Sequence, residues 1–362
     1  MNPIWCKKRI RDKVKVILQE HKRIACLLHF IRYGRDEAYL DSILKINHDP
    51  NVLELREYGS ANADKNIFYI EFGGETGIGG TLRTTLHALY EADRLGFTPV
   101  VYYKSKYLSM TSSLHEVENA FGYYFCQVSD ISVEEVLRSQ RVFLFRPAHL
   151  ERIERDLGNL NPELVVGYRV TDDYLKTMAN VMHKYIRFNE ETERYFEKSM
   201  GKLFQTRSHL DRVLAVHIRG TDFALHWNNH PNMLMPEDYF SEIDVLLERE
   251  FEYIFLATDD SRRLESFLKR YDKKVLYYED TYRSSGNINI IHEKNARENA
   301  PFLNGLEALR DMYTLSRCGG FLSGCSQISI MTRILRLSTG RDFSYVKTLD
   351  RGIYKSDVIS GT

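Results

Sequence analysis

The chain has 362 residues and equal numbers of Lys+Arg and Asp+Glu, 50 of each, so its formal charge is zero with histidine neutral. That balance gives no support to a nucleic-acid binder, which needs excess positive charge. Hydrophobic residues at 43%, charged residues at 28% and only 8 prolines exclude long disorder and leave room for two domains or one large one. Five scattered cysteines without a CxxC pair indicate neither a structural zinc site nor a disulfide framework. No run of 18 apolar residues predicts a membrane span, and the first residues lack a signal-peptide pattern, so the expected location is the cytoplasm.

Residues 1–60 read as a basic helical segment. Its first 35 residues carry ten Lys/Arg against Asp12 and Glu20, with Val14, Ile17, Leu18, Ile24, Leu27, Leu28 and Ile31 at roughly helical spacing. Such a helix either packs on the protein with a solvated basic face or lies on an anionic membrane surface. From residue 61 the chain alternates between strand-like and helix-like stretches. IFYIEF (67–72) predicts a strand, GGETGIGG (73–80) a glycine turn, residues 81–95 a helix and PVVYY (99–103) a second strand, which is a βαβ unit. VFLFR (142–146) predicts a further strand and residues 170–210 polar helices, completing a first lobe at about 208.

The alternation then repeats over 209–340. VLAVHIR (213–219), YIFLAT (253–258), VLYYED (275–280) and GFLSG (320–324) predict strands; 236–250, 261–271, 304–318 and 326–337 predict helices. Residues 341–362 form a C-terminal extension. The expected fold is α/β, with two Rossmann-like lobes facing a cleft.

Ligands of open α/β sheets bind beyond the carboxyl ends of the strands, and four such loops carry unusual residues. The glycines of GGETGIGG, Gly77, Gly79 and Gly80 among them, let N–H groups approach an anion at a helix N-terminus, or simply make a tight turn. In HIRGTD (217–222), His217 and Arg219 share one side of a strand, and an arginine there needs an anionic partner, either a carboxylate such as Asp222 or a phosphate. Asp259 and Asp260 in ATDDS either cap a helix or serve the site, and Ser326 and Gln327 open a helix after a strand. Four such loops together favour a nucleotide site over four separate caps.

In order and spacing these motifs resemble the α-1,2/α-1,6/O-fucosyltransferase superfamily, most of all its α-1,6 and nodulation members. HIRGTD (217–222), FLATDD (255–260), GLEALRDMYTLSRCGGFLSGCSQIS (305–329) and GIGGTLRTTLHALYEADRLGFTPVV (77–101) carry the likeness; residues 1–60 show none. The resemblance implies a B-type glycosyltransferase fold and metal-independent, inverting transfer of L-fucose from GDP-fucose to a glycan or lipid-linked oligosaccharide. No D-x-D triplet occurs in the chain, which agrees with a reaction lacking a metal cofactor. By the resemblance, His217 and Asp311 hold the guanosine end and Arg219, the Gly77–Gly80 amides, Ser326 and Gln327 the diphosphate. Asp259 and Asp260 organise loops, and Arg297 approaches the phosphates. For Asp311 a salt bridge to Arg310 or Arg317 is the competing expectation. The sequence departs from the α-1,6 pattern at Phe223, where the family has lysine, and at Trp227, where it has an acid. The proton acceptor is then sought among Asp222, His226 and His230, with His226 first, and Trp227 offers a stacking face to an acceptor sugar. Two other readings stand: a transferase for a different nucleotide sugar, and a silent nucleotide- or glycan-binding protein.

Overall fold

The computed structural model describes residues 52–73, 76–105, 108, 119–146, 148–157, 168–204, 207–221, 230–286, 290 and 297–354, together with Leu27. Residues 53–362 form one compact unit. The basic segment of residues 1–35 lies outside the described residues apart from Leu27.

The first sheet has the order β1-β4-β2-β3, from Glu54–Arg56 (β1), Ile67–Phe72 (β2), Thr98–Tyr103 (β3) and Val142–Leu144 (β4). β2 pairs in parallel with both β3 and β4, while β1 runs antiparallel to β4 at the edge. The crossover from β2 to β3 is helix α1 (Ile78–Leu95), which starts three residues before the predicted Thr81 and ends at Gly96. Gly79 and Gly80 therefore lie in its first turn, not in the loop ahead of it. Helix α2 (Val133–Val136) lies between β3 and β4, and α3 (Ala148–Asp156), α4 (Asp172–Tyr185) and α5 (Glu190–Leu203) follow β4.

A 3₁₀ turn over Arg207–Arg212, at the junction expected near 205–212, leads into the second sheet. Its strands are β5 (Val213–Ile218), β6 (Tyr253–Thr258), β7 (Val275–Leu276), β8 (Gly320–Gly324) and β9 (Tyr345–Leu349), all neighbours parallel in the order β7-β6-β5-β8-β9. Every residue of β5 and β8 is buried, as parallel strands covered on both faces require. The connecting helices are α6 (Glu237–Arg249), α7 (Ser261–Tyr271), α8 (Ala300–Leu315) and α9 (Gln327–Ser338).

Three sequence expectations change. β7 stops at Leu276, because an edge strand has a neighbour on one side only and Tyr278 turns in to meet the Thr314 hydroxyl, 2.7 Å away. α8 begins at Ala300, since proline in the first turn loses no hydrogen bond that a helix would otherwise make. The C-terminal extension is not an appendage: Tyr345–Leu349 pairs with β8 along its whole length.

The apolar core around the first sheet draws on both halves of the sequence. Phe68, Leu82, Leu86 and Val101 are fully buried in one cluster with Met178, Leu309, Met312 and Ile334. Helices α8 and α9 thus belong to the core of the first sheet as well as to the second. At about 25 cal/mol per Å² of apolar surface, a Leu buried to this degree contributes roughly 2 kcal/mol. Among the described residues no helix is long and apolar enough to cross a membrane.

Candidate nucleotide site at the strand ends

In the second sheet the chain leaves β5 toward β6 and β7 on one side and returns to β8 and β9 on the other. The order reverses between β5 and β8, and the crevice beyond the carboxyl ends of those two strands is where such sheets bind ligands. The two residues that end this seam are His217 and Ser326. His217 Nδ1 lies 3.1 Å from Ser329 Oγ and 3.3 Å from Ser326 Oγ. Ser326 also caps α9 by accepting from the Ser329 N–H at 3.0 Å. Burial pushes the His217 imidazole down to about 4, with Arg219 acting in the same sense and Asp259 against it. The ring is neutral at pH 7, so it presents one donor and one acceptor nitrogen.

The anion that Arg219 meets is Asp259, at the end of the neighbouring strand β6. The same carboxylate accepts from the Gly220 N–H and the Thr221 hydroxyl, both at 2.8 Å. This three-pronged hold fixes a turn in which Thr221 has φ 43°, a left-handed conformation that costs a β-branched residue on the order of 1–3 kcal/mol. A Cβ on Gly220 would stand 2.4 Å from Asp260 Cβ, so only glycine lets the two strand ends close up. Asp260 is fully buried. It caps α7 through the Arg262 N–H at 2.9 Å and pairs with Arg262 and Arg263 at 2.7 and 2.9 Å. Both aspartates are thus tied to the backbone and side chains of the loops that they begin.

The first sheet reaches the same place through α1. A Cβ on Gly79 would lie 2.9 Å from Ile328 Cδ1, and one on Gly80 would lie 3.9 Å from Gln327 Cγ. The N-terminus of α1 thus sits against that of α9. Gly77 supplies no side-chain cap, and neither helix carries an acid in its first turn. First-turn N–H groups have no partner within a helix and carry partial positive charge. One turn further along α1, buried Arg83 donates to Gln327 Oε1 at 3.2 Å, to the Tyr174 hydroxyl at 2.6 Å and to Glu154 at 3.2 Å. The side chain of His87 joins this cluster at 2.8 Å from the Tyr174 oxygen.

Asp311, on the buried face of α8, makes no hydrogen bond or ion pair among the described residues. Burial raises its carboxyl to about 6, with Arg310 and Arg283 pulling it down and Glu307 and Asp280 pushing it up. The salt bridges expected for it do not form. Arg310 pairs with Asp280 at 2.9 Å and lies 3.9 Å above the Tyr278 ring, and Arg317 stacks on Tyr313 at 4.6 Å. Arg297 pairs with Glu307 and donates to Asn304 Oδ1 at 2.9 Å. Ser284, next to Arg283, donates its N–H to the Asp259 carbonyl at 2.9 Å, which ties this segment to the β6 end.

The predicted residues therefore fall into groups: His217 with Ser326, Arg219 with Asp259, Gly79 and Gly80 with Gln327, and Arg297 with Glu307. No direct contact joins Asp311 to His217. Asp222, His226 and Trp227 lie outside the described residues. His230 packs its ring 5.7 Å from that of Tyr168. Sequence reasoning passed over Arg83, whose signal was a charge between Leu82 and Leu86 on an apolar helix face, and Arg283, which nothing local marked. Among the described residues no group of three His, Cys, Asp or Glu side chains is placed to hold a metal.

No protein-family model and no curated protein matches the chain. Solved structures are similar to it at low identity. NodZ α-1,6-fucosyltransferase soaked with GDP-fucose is 18% identical with a TM-score of 0.46, over 75% of this chain and 92% of that one. Fucosyltransferase NodZ from Bradyrhizobium is 16% identical with a TM-score of 0.43, over 75% and 93% of the two chains. POFUT1 in complex with GDP is 13% identical with a TM-score of 0.43, over 79% and 99%.

Proposed function

We propose that the chain is a glycosyltransferase that moves L-fucose from GDP-fucose to a hydroxyl of a glycan, with inversion and without a metal cofactor. The observation that carries this reading is the meeting of two helix N-termini with no acid in either first turn, with Arg219 at a neighbouring strand end and, on α8, a buried carboxylate that has no partner among the described residues. A nucleoside diphosphate matches that set. Its phosphates suit the first-turn N–H groups of α1 and α9 and the guanidinium of Arg219. Its guanine offers N1–H and an exocyclic amine, two donors that one carboxylate accepts together, and Asp311 is the carboxylate available.

In the reaction the acceptor oxygen attacks the anomeric carbon of the donor sugar. The bond from that carbon to the phosphate oxygen breaks, and GDP departs with the electron pair. Negative charge grows on the leaving phosphate, so fixed N–H groups and Arg219 hold the transition state more tightly than the ground state. The Asp259 carboxylate keeps Arg219 in place before the donor arrives. The acceptor's proton goes to a base from the 222–230 segment, for which we propose His226, with Asp222 and His230 as the other candidates. Trp227 is the stacking face we propose for an acceptor sugar. The ten bases of the first 35 residues suit a lipid-linked acceptor on an anionic membrane face.

Differential stabilisation by nucleotides tests the reading. GDP should raise the melting temperature more than UDP, CDP or ADP, with or without EDTA; a ligand at 100 times its Kd adds about 2.7 kcal/mol. Selective stabilisation by UDP, or transfer that requires added Mn²⁺, would overturn it. Release of GDP from GDP-fucose without acceptor separates an enzyme from a silent binding protein.

A further inference from the structure

A cavity of about 470 Å³ lies at the end of the second sheet opposite the strand-end crevice. Its wall includes Asp211, just before β5, Arg317, just before β8, and Arg336 and Arg341 at the far end of α9. Arg219 and Ser326 mark the opposite ends of these strands, and six strand residues span roughly 20 Å. The two places are separate.

Three guanidinium groups line this cavity, and none of them makes an ion pair among the described residues. Arg336 is buried and donates only to neutral carbonyls, those of Ser316 at 3.2 Å and Asp342 at 2.9 and 3.1 Å. The Asp342 carboxylate is turned to its own chain, accepting from the Phe343 N–H at 2.8 Å. The Arg317 guanidinium lies 4.6 Å from the centre of the Tyr313 ring and donates to its hydroxyl at 3.1 Å. Arg341 is exposed. Burial and the nearby charges of Arg341 and Arg317 push the Arg336 guanidinium down, while Asp211 opposes the shift. Glu197 is the second carboxylate on the wall, which leaves one positive charge in excess.

A cation that caps the carbonyl end of α8 explains Arg336 alone. It does not explain why two more arginines share the cavity with no ion pair to a carboxylate among the described residues. Like charges held together are stabilised by a bound anion, and an arginine fork fits phosphate and carboxylate oxygens in pairs. Phe204 and Tyr313 add apolar wall, and the volume is that of pockets which hold small organic molecules.

We propose that this cavity is a second binding site, for a sugar-sized organic anion carrying a phosphate or a carboxylate. The anionic group meets Arg317 and Arg341 beside Arg336, the carbon body lies along Phe204 and Tyr313, and Asp211 accepts from a hydroxyl. The site does not depend on the donor reading above.

Calorimetric titration of the full chain with glucose 6-phosphate, glucuronate and inorganic phosphate tests it. At least one of the two sugars should bind one to one with a Kd below about 1 mM, and the stronger of them identifies the anionic group. Arg317→Gln and Arg341→Gln should each weaken that binding about five- to tenfold, while Arg219→Gln leaves it unchanged. Both cavity variants sit at part-exposed or exposed positions, and their melting curves confirm folding. Absence of saturable binding by all three probes overturns the proposal. So does binding that ignores Arg317 and Arg341, or that disappears with Arg219→Gln, which would place the anion at the strand-end crevice instead.

Discussion

The end of β6 and the middle of α8 both bury carboxylates, and they treat them in opposite ways. At the β6 end Asp259 and Asp260 are saturated: the first holds Arg219, Gly220 and Thr221, and the second holds Arg262, Arg263 and a helix start. In α8, Asp311 is also buried and has none of this support among the described residues, and burial disfavours its ionised form. A saturated acid builds the scaffold, whereas an unsupported one is retained at a cost to stability. That cost is offset when a ligand supplies the missing donors.

The comparison is broken most severely by Asp260→Ala. It strands two arginines, one of them buried, and should destabilise the fold by about 3–5 kcal/mol in chemical denaturation. Next in size is Arg219→Ala, which should keep its fold because Asp259 still holds Gly220 and Thr221. Transfer should fall by on the order of 10²–10³, and Arg219→Lys should rescue little, since the planar fork is lost. A folded variant that transfers within a few-fold of the parent would make Arg219 structural.

Asp311→Asn should do what no scaffold acid does: raise stability at pH 7 while weakening GDP. Its carboxyl stands at about 6 against an ordinary 3.8. Ionisation therefore opposes folding above that window, and removing it returns about 1–3 kcal/mol, at 1.36 kcal/mol per pH unit. A loss of both stability and affinity would show that the acid belongs to the scaffold after all.

The smallest effect sharpens the contrast by pH alone. GDP affinity should drop about tenfold between pH 7.5 and pH 5, as protonation removes the ionised acid that guanine needs. Titration calorimetry across that range reads it, and Asp311→Asn should flatten the profile. Stability carries two opposing slopes there. A histidine depressed to about 4 loses its contribution as pH falls from 6.5 toward 4, whereas Asp311 gains as pH falls from about 6 toward 3.8. Asp260, held below its ordinary value by its arginines against the opposing effect of burial, keeps its contribution until pH falls below 3.8.

Much of the architecture could be read from local pattern. The apolar runs 67–72, 253–258 and 320–324 are strands to the residue, and 261–271 is a helix to the residue, because short apolar stretches between glycine or aspartate punctuation admit few other conformations. The strand-end loops with unusual residues were visible for the same reason: a parallel sheet sends every strand end to one side. What each charged group there touches was not visible. Arg219 and Asp259 are 40 positions apart, and Arg83 and Gln327 are 244 apart. Those distances close only when strand order puts β6 beside β5 and helix packing sets α1 against α9. The sequence alone determined the elements and the kinds of side chain at their ends, since both depend on neighbours within a few residues. Tertiary structure alone decided that Asp259 has partners and that Asp311 has none among the described residues, because solvation and pairing depend on which distant segments fold against a group.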